Sequence, residues 1–138
     1  MHPLYSKADA LSGQVIGAAM EVHRDKGPGL LESIYERCLM HELFLRRHEA
    51  VNQKVVRISY KDLTFEEPLR FDVLVDNCLL VAAKCVESTL PIHKAQMLSY
   101  MKLLDVPIGL IMNFHEEKLV DGISRLILPG ANRTDNNH

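Results

Sequence analysis

The sequence predicts an α/β fold on three observations. Apolar residues recur at helical spacing over residues 7–25 and 30–47, the period switches to two from Val51, and a third helical stretch leads into the unbroken apolar run 107–114. A length of 138 residues suits one domain with one sizeable core, expected over residues 1–130, with the polar stretch 131–138 as a disordered tail. The order is helices, a run of strands, a helix, then strands, with no internal repeat.

In the first helix Leu11, Val15, Ala18, Ala19 and Val22 form the apolar stripe, Ser6 and Asp9 read as its capping signal, and Gly27-Pro28-Gly29 stops it. The second turns Leu31, Ile34, Tyr35, Leu39 and Leu43 inward and carries Glu32 in its first turn, where the helix dipole favours a carboxylate. Val55, Ile58 and Tyr60 open the β region, Lys61-Asp62 makes a turn, and a short strand at 63–67 ends or marks an edge at Pro68. Runs 69–75 and 79–86 form the strongest hairpin signal, around Asp76-Asn77-Cys78, where Asn77 tolerates a left-handed conformation. Ser88 is a candidate cap for the third helix and Pro91 suits its first turn, with Ile92, Ala95, Met97, Leu98, Met101 and Leu104 as apolar positions. A charged loop and a last strand at 123–128 close the chain.

Composition excludes several classes of function. The chain is 47% hydrophobic and 25% charged, the balance of an ordinary globular protein. A net charge of -2 and a pI near 6.4 rule out a broad basic surface, so any nucleic-acid contact has to be local. Cys38, Cys78 and Cys85 are odd in number, irregularly spaced and set in apolar segments, which points to reduced thiols and offers neither a disulfide framework nor a zinc pattern. The first residues lack the apolar core of a signal peptide, and no apolar run is long enough to span a bilayer. The expectation is a cytoplasmic protein with no membrane partner.

Asp72 is the best candidate for chemistry. It interrupts the apolar run of Phe71 and Val73-Leu74-Val75, where an ionised carboxylate is costly unless it is paired or binds a metal. If Val75 pairs with Leu79, Asp72 falls opposite Ala82 and Arg70 opposite Lys84, all on one face. A plain cross-strand ion pair between Asp72 and Lys84 explains the same pattern equally well. On the third helix His93, Gln96 and Tyr100 fall at i, i+3 and i+7 and form a polar strip suited to a cleft, or to a solvated helix edge. His23 reads as a ligand or as a satisfied histidine between core and solvent. There is no glycine-rich phosphate loop and no Gly-flanked serine nucleophile.

Gly29-Leu30-Leu31-Glu32-Ser33-Ile34-Tyr35 resembles the signature of the GxxExxY protein family, within the PD-(D/E)XK nuclease superfamily. The likeness runs through Glu21-Val22-His23-Arg24, Arg70-Phe71-Asp72, Lys84, Leu90 to Gln96, Tyr100, Gly109 to Phe114 and Asp121-Gly122-Ile123, over roughly residues 12–128. It implies a restriction-endonuclease-like α-β-β-β-α-β core with a mixed central sheet flanked by helices. It also implies Mg or Mn as cofactor, DNA or RNA as partner, and hydrolysis of phosphodiesters. Carried over residue by residue, Glu32 and Asp72 would be the metal carboxylates and Lys84 the catalytic lysine. Gln96 and Tyr100, with His93 and His23, would bind substrate or support the site.

The departure is at Ala82, in Val81-Ala82-Ala83-Lys84, where the family carries an acidic residue two before the lysine. A methyl group binds no magnesium, so the resemblance implies weak or absent metal and activity that is weakened or lost. Glu87 is a poor substitute, because the family carries glutamate there anyway. The alternative is a non-catalytic nucleic-acid-binding or regulatory pseudo-nuclease. An exposed strand edge in the C-terminal half would allow a homodimer.

Overall fold

The computed structural model describes residues 1–134. The chain runs through α1 (Tyr5–Lys26), α2 (Glu32–Leu45), β1 (Ala50–Tyr60), β2 (Leu63–Val75), β3 (Leu79–Lys84), α3 (Pro91–Leu104), β4 (Ile108–Asn113), a 3-10 turn (Leu119–Gly122) and β5 (Ile123–Ile127). Five strands form one sheet in chain order, with β3 and β4 parallel and every other neighbouring pair antiparallel. The expected mixed sheet is therefore present. The α-β-β-β-α-β order runs from α2 to β4, with α3 as the crossover that parallel strands require.

Alternation along the strands divides the core in two. Val73, Val75, Val81, Ala83, Leu110 and Met112 pack against α1 and α2, where all five predicted stripe residues of α1 are buried. Leu74, Leu80 and Ile111 face the other way and pack with Met97, Met101 and Leu104 of α3. Gly109 lets α3 approach the sheet, since a Cβ there would lie 2.7 Å from the Met101 sulfur and 2.8 Å from that of Met97. All six residues of β4 are buried, as its apolar run predicts.

Several local expectations need correction. Residues 63–67 and 69–75 are one strand, not two. β3 pairs only with Val73 to Val75, so Pro68 lies where β2 has a single neighbour and its missing N–H breaks no bond to a second strand. Leu31, Ile34, Ile92 and Ala95 are exposed rather than core. They lie within the first five residues of α2 and α3 or just precede them. Neither predicted cap forms: Leu4 and Leu90 take the N-cap positions, and the Leu90 N–H donates to His93 Nδ1 at 3.0 Å.

In the tight turn both Asp76 (φ 48°) and Asn77 (φ 58°) are left-handed, not Asn77 alone. The part of the expected tail at 135–138 lies outside the described residues, whereas Ala131 is buried and its carbonyl accepts the His2 N–H at 2.8 Å. Among the described residues no helix is long and apolar enough to cross a membrane.

Candidate functional site

The site begins with a fault in the sheet. β1 and β2 pair at Val51 with Leu74 and next at Gln53 with Arg70, so Asn52 alone lies opposite Phe71, Asp72 and Val73. On its other side β2 leaves β3 after Val73 pairs with Val81. Asp72 thus sits where β2 releases both neighbours, and such irregularities re-aim side chains. Its Oδ2 accepts the Ala83 N–H at 2.8 Å, and Glu32 Oε1 accepts the Cys85 N–H at 3.2 Å. Amides two apart in a strand point the same way, so two carboxylates replace the bonds that β2 no longer gives to β3.

Glu32 is delivered by the turn ahead of α2. Gly27 and Gly29 take φ values of 70° and 94°, which a side chain would oppose. Tyr35, one turn into the helix, fixes that turn by donating its hydroxyl to the Gly27 carbonyl and accepting the Leu30 N–H at 3.1 Å. Its ring stacks on Phe114 with centroids 4.4 Å apart. The far side of the β3 exit is held by buried Asn113, whose amide donates to the Val86 carbonyl at 2.7 Å and accepts the Val86 N–H at 3.2 Å. Sequence reading passed over Asn113, although a polar residue closing an apolar strand demands partners.

Glu36 was also missed. It lies four residues after Glu32, on the same face of α2, half-buried and near enough to Asp72 for the two carboxyl groups to interact. Burial first, and then the Asp72 charge and hydrogen bond, push Glu36 up to about 7 from its ordinary 4.5. Burial also raises Asp72, opposed by the Ala83 N–H, by Lys84 and by the hydrogen bond from Glu36. The i,i+4 spacing was the available signal, but on an exposed helix it means little without knowing what the face meets.

The hairpin register agrees with expectation from Val75–Leu79 to Val73–Val81, but the ladder ends there, before the expected Asp72–Ala82 and Arg70–Lys84 pairs, and Arg70 pairs with Gln53 of β1 instead. The expected Asp72–Lys84 ion pair does not form: among the described residues no such pair lies within 4.0 Å. The fault in β2 turns the carboxylate toward the Ala83 amide and α2, and Lys84 acts on both acids through its field alone.

Lys84 instead lines a cleft of about 220 Å³ on the α3 face. Arg70, Asp72 and Ala82 join it from the strands, and His93, Gln96 and Tyr100 from α3, so the helical strip does face a cleft. Phe71 and Met97 supply apolar wall. His23 is not brought there: it packs near Phe114 and bonds the Glu116 carbonyl at 2.8 Å, tying α1 to the loop after β4. Glu87 is exposed. Among the described residues no three His, Cys, Asp or Glu side chains already enclose a place for a metal ion.

A family model described as the PD-(D/E)XK nuclease superfamily matches residues 9–126. No curated protein and no solved structure matches the chain.

Proposed function

Because the chain belongs to the PD-(D/E)XK nuclease superfamily, we propose that it is a nuclease-like protein whose inherited chemistry is metal-dependent phosphodiester hydrolysis, weakened by Ala82. The observation that carries this reading is the Asp72 carboxylate, fixed by the Ala83 N–H at the wall of a cleft that Lys84 and Ala82 also line. The finer likeness to the GxxExxY family is supported by Tyr35, which shapes the glycine turn ahead of Glu32.

The donors fit a hard divalent cation in kind. Asp72 and Glu32 each have one oxygen fixed by a backbone N–H, and carboxylate oxygens suit Mg or Mn. These two residues would hold the ion. When bound, it would supply a water of lowered pKa and neutralise phosphate charge. Lys84 adds positive charge toward the phosphate from the cleft wall, where a preorganised donor acts without reorganising. Gln96 and Tyr100 orient the substrate, and His93, with Nδ1 committed to the Leu90 N–H, presents its other ring nitrogen. Ala82 leaves the strand one carboxylate short.

The test is cleavage of single- and double-stranded DNA and RNA with manganese, comparing the chain with Ala82→Glu. The variant is expected to cleave about tenfold faster or more, in line with the cost of weakening a metal site. Equally strong cleavage by both would remove the role given to Ala82.

A second reading, a nucleic-acid-binding pseudo-nuclease, is favoured by Arg70, Lys84 and His93 in one cleft, a set that meets phosphate without a metal. Absence of any gel shift at low salt would tell against nucleic acid as partner. The homodimer is supported by the position of β5 at the edge of the sheet, with one side of its backbone unpaired. A single domain over residues 1–130 and a cytoplasmic location complete the reading.

A further inference from the structure

The chain leaving β3 runs on past its last strand partner and is held there by side chains. We infer that Asn113 of β4 is a positioning residue for the cleft: it fixes the backbone that delivers Lys84, and so decides how well that cation meets phosphate. This rests on the proposed nuclease-like reading, in which Lys84 faces the phosphate, and adds to it a residue that does not itself line the cleft.

β3 and β4 are parallel and their last pair is Lys84 with Asn113, at the carboxyl ends where open α/β sheets bind ligands. The Phe114 N–H then donates to the Lys84 carbonyl at 2.8 Å, and no strand pairs with the chain beyond. There the Asn113 amide takes the part of a neighbouring strand. It donates to the Val86 carbonyl at 2.7 Å and accepts the Val86 N–H at 3.2 Å. The same oxygen accepts the His115 N–H at 3.2 Å, which fixes the direction of the amide. Asn113 is 1% exposed and all these bonds go to backbone, so it acts on a ligand only through the segment it holds. Glu32 grips the Cys85 N–H between the two ends of that segment. Lysine carries its charge on a flexible four-carbon stem, so a fixed backbone is what aims it, and a shift of about 1 Å at a site costs up to about 100-fold. Gly122 seats Asn113 from behind: a Cβ there would lie 2.7 Å from the Asn113 carbonyl oxygen and 3.0 Å from its Cβ.

The experiment is a double-mutant cycle on the full chain: unmodified, Asn113→Ala, Lys84→Gln and both together, each checked for folding by circular dichroism. The readout is retardation of single- and double-stranded DNA and RNA oligonucleotides over a series of salt concentrations, with no divalent cation added. Each single variant is expected to bind about tenfold more weakly at low salt and to lower the salt slope by about 0.7–0.9, the loss of one phosphate contact. The double variant should lose no more than either single one, because both changes remove the same contact. A merely structural asparagine would lower stability and leave the salt slope of the folded chain unchanged. That result, or losses that add, overturns the inference and leaves the nuclease-like reading standing. If Asn113→Ala does not fold, Gly122→Ala, which displaces Asn113 but keeps its amide, should show the same weaker binding and lower slope; binding equal to the unmodified chain overturns the inference. No retardation of any oligonucleotide by the unmodified chain removes the inference and the nucleic-acid reading together.

Discussion

The two sides of Asp72 differ in the sign of the charge they present. Toward α2 stand Glu32 and Glu36, and burial, with the Asp72 charge after it, pushes Glu36 up to about 7. Toward α3 stand the cations Arg70 and Lys84, with His93, Gln96 and Tyr100 as hydrogen-bonding groups. Asp72 is the residue common to both. The near-neutral charge of the chain therefore hides a local separation that a net count averages away.

The largest effect should come from cutting the link. Asp72→Asn keeps an oxygen for the Ala83 N–H but removes the central charge. Manganese affinity and any cleavage are expected to fall by about 100-fold or more, since loss of even a supporting partner costs 10–100-fold. Nucleic-acid retardation should persist, because a negative charge leaves the cleft. Retained metal affinity in this variant would show that the two sides do not share Asp72.

Next, Gly109→Ala should disturb the α3 side alone. Its Cβ meets the sulfurs of Met101 and Met97 at 2.7 and 2.8 Å, and the flexible thioethers keep the cost near the low end of about 1–3 kcal/mol. Urea unfolding measures that loss. A displaced α3 carries Gln96 and Tyr100 with it, so the gel shift should weaken while manganese affinity holds; equal losses in both would mean the sides are coupled.

The smallest effect is on stability against pH. The value for Glu36 is raised on folding from 4.5 to about 7, so the folded chain binds this proton more tightly than the unfolded one. That stabilisation is complete below about pH 4.5, erodes as pH rises, and is gone above about pH 7; Asp72, also raised, acts with the same sign. The urea midpoint should therefore drift downward across this window in the unmodified chain and less in Glu36→Gln. Identical slopes would assign the drift elsewhere.

Much of the fold was legible because burial imposes period. The stripe of α1, the buried run of β4 and the pairing of Val75 with Leu79 all follow from which residues must leave water. First turns were misread because Leu31 and Ile92 are apolar at the right spacing, yet stand exposed. Of the two readings of Pro68, the break fails, because β2 runs through it, and the edge holds, because β2 has a single neighbour there.

For the candidate site, the sequence by itself nominated Glu32, Asp72 and Lys84, marked the polar strip His93, Gln96 and Tyr100, and fixed the absence of an acid at residue 82. Only the tertiary structure decided their relations: that Asp72 accepts the Ala83 N–H instead of pairing with Lys84, and that His23 stands apart. The reason is physical. Residue type and spacing fix which face a side chain occupies, but the offset in β2 pairing sets where that carboxylate points, and it arises from contacts between strands rather than within one.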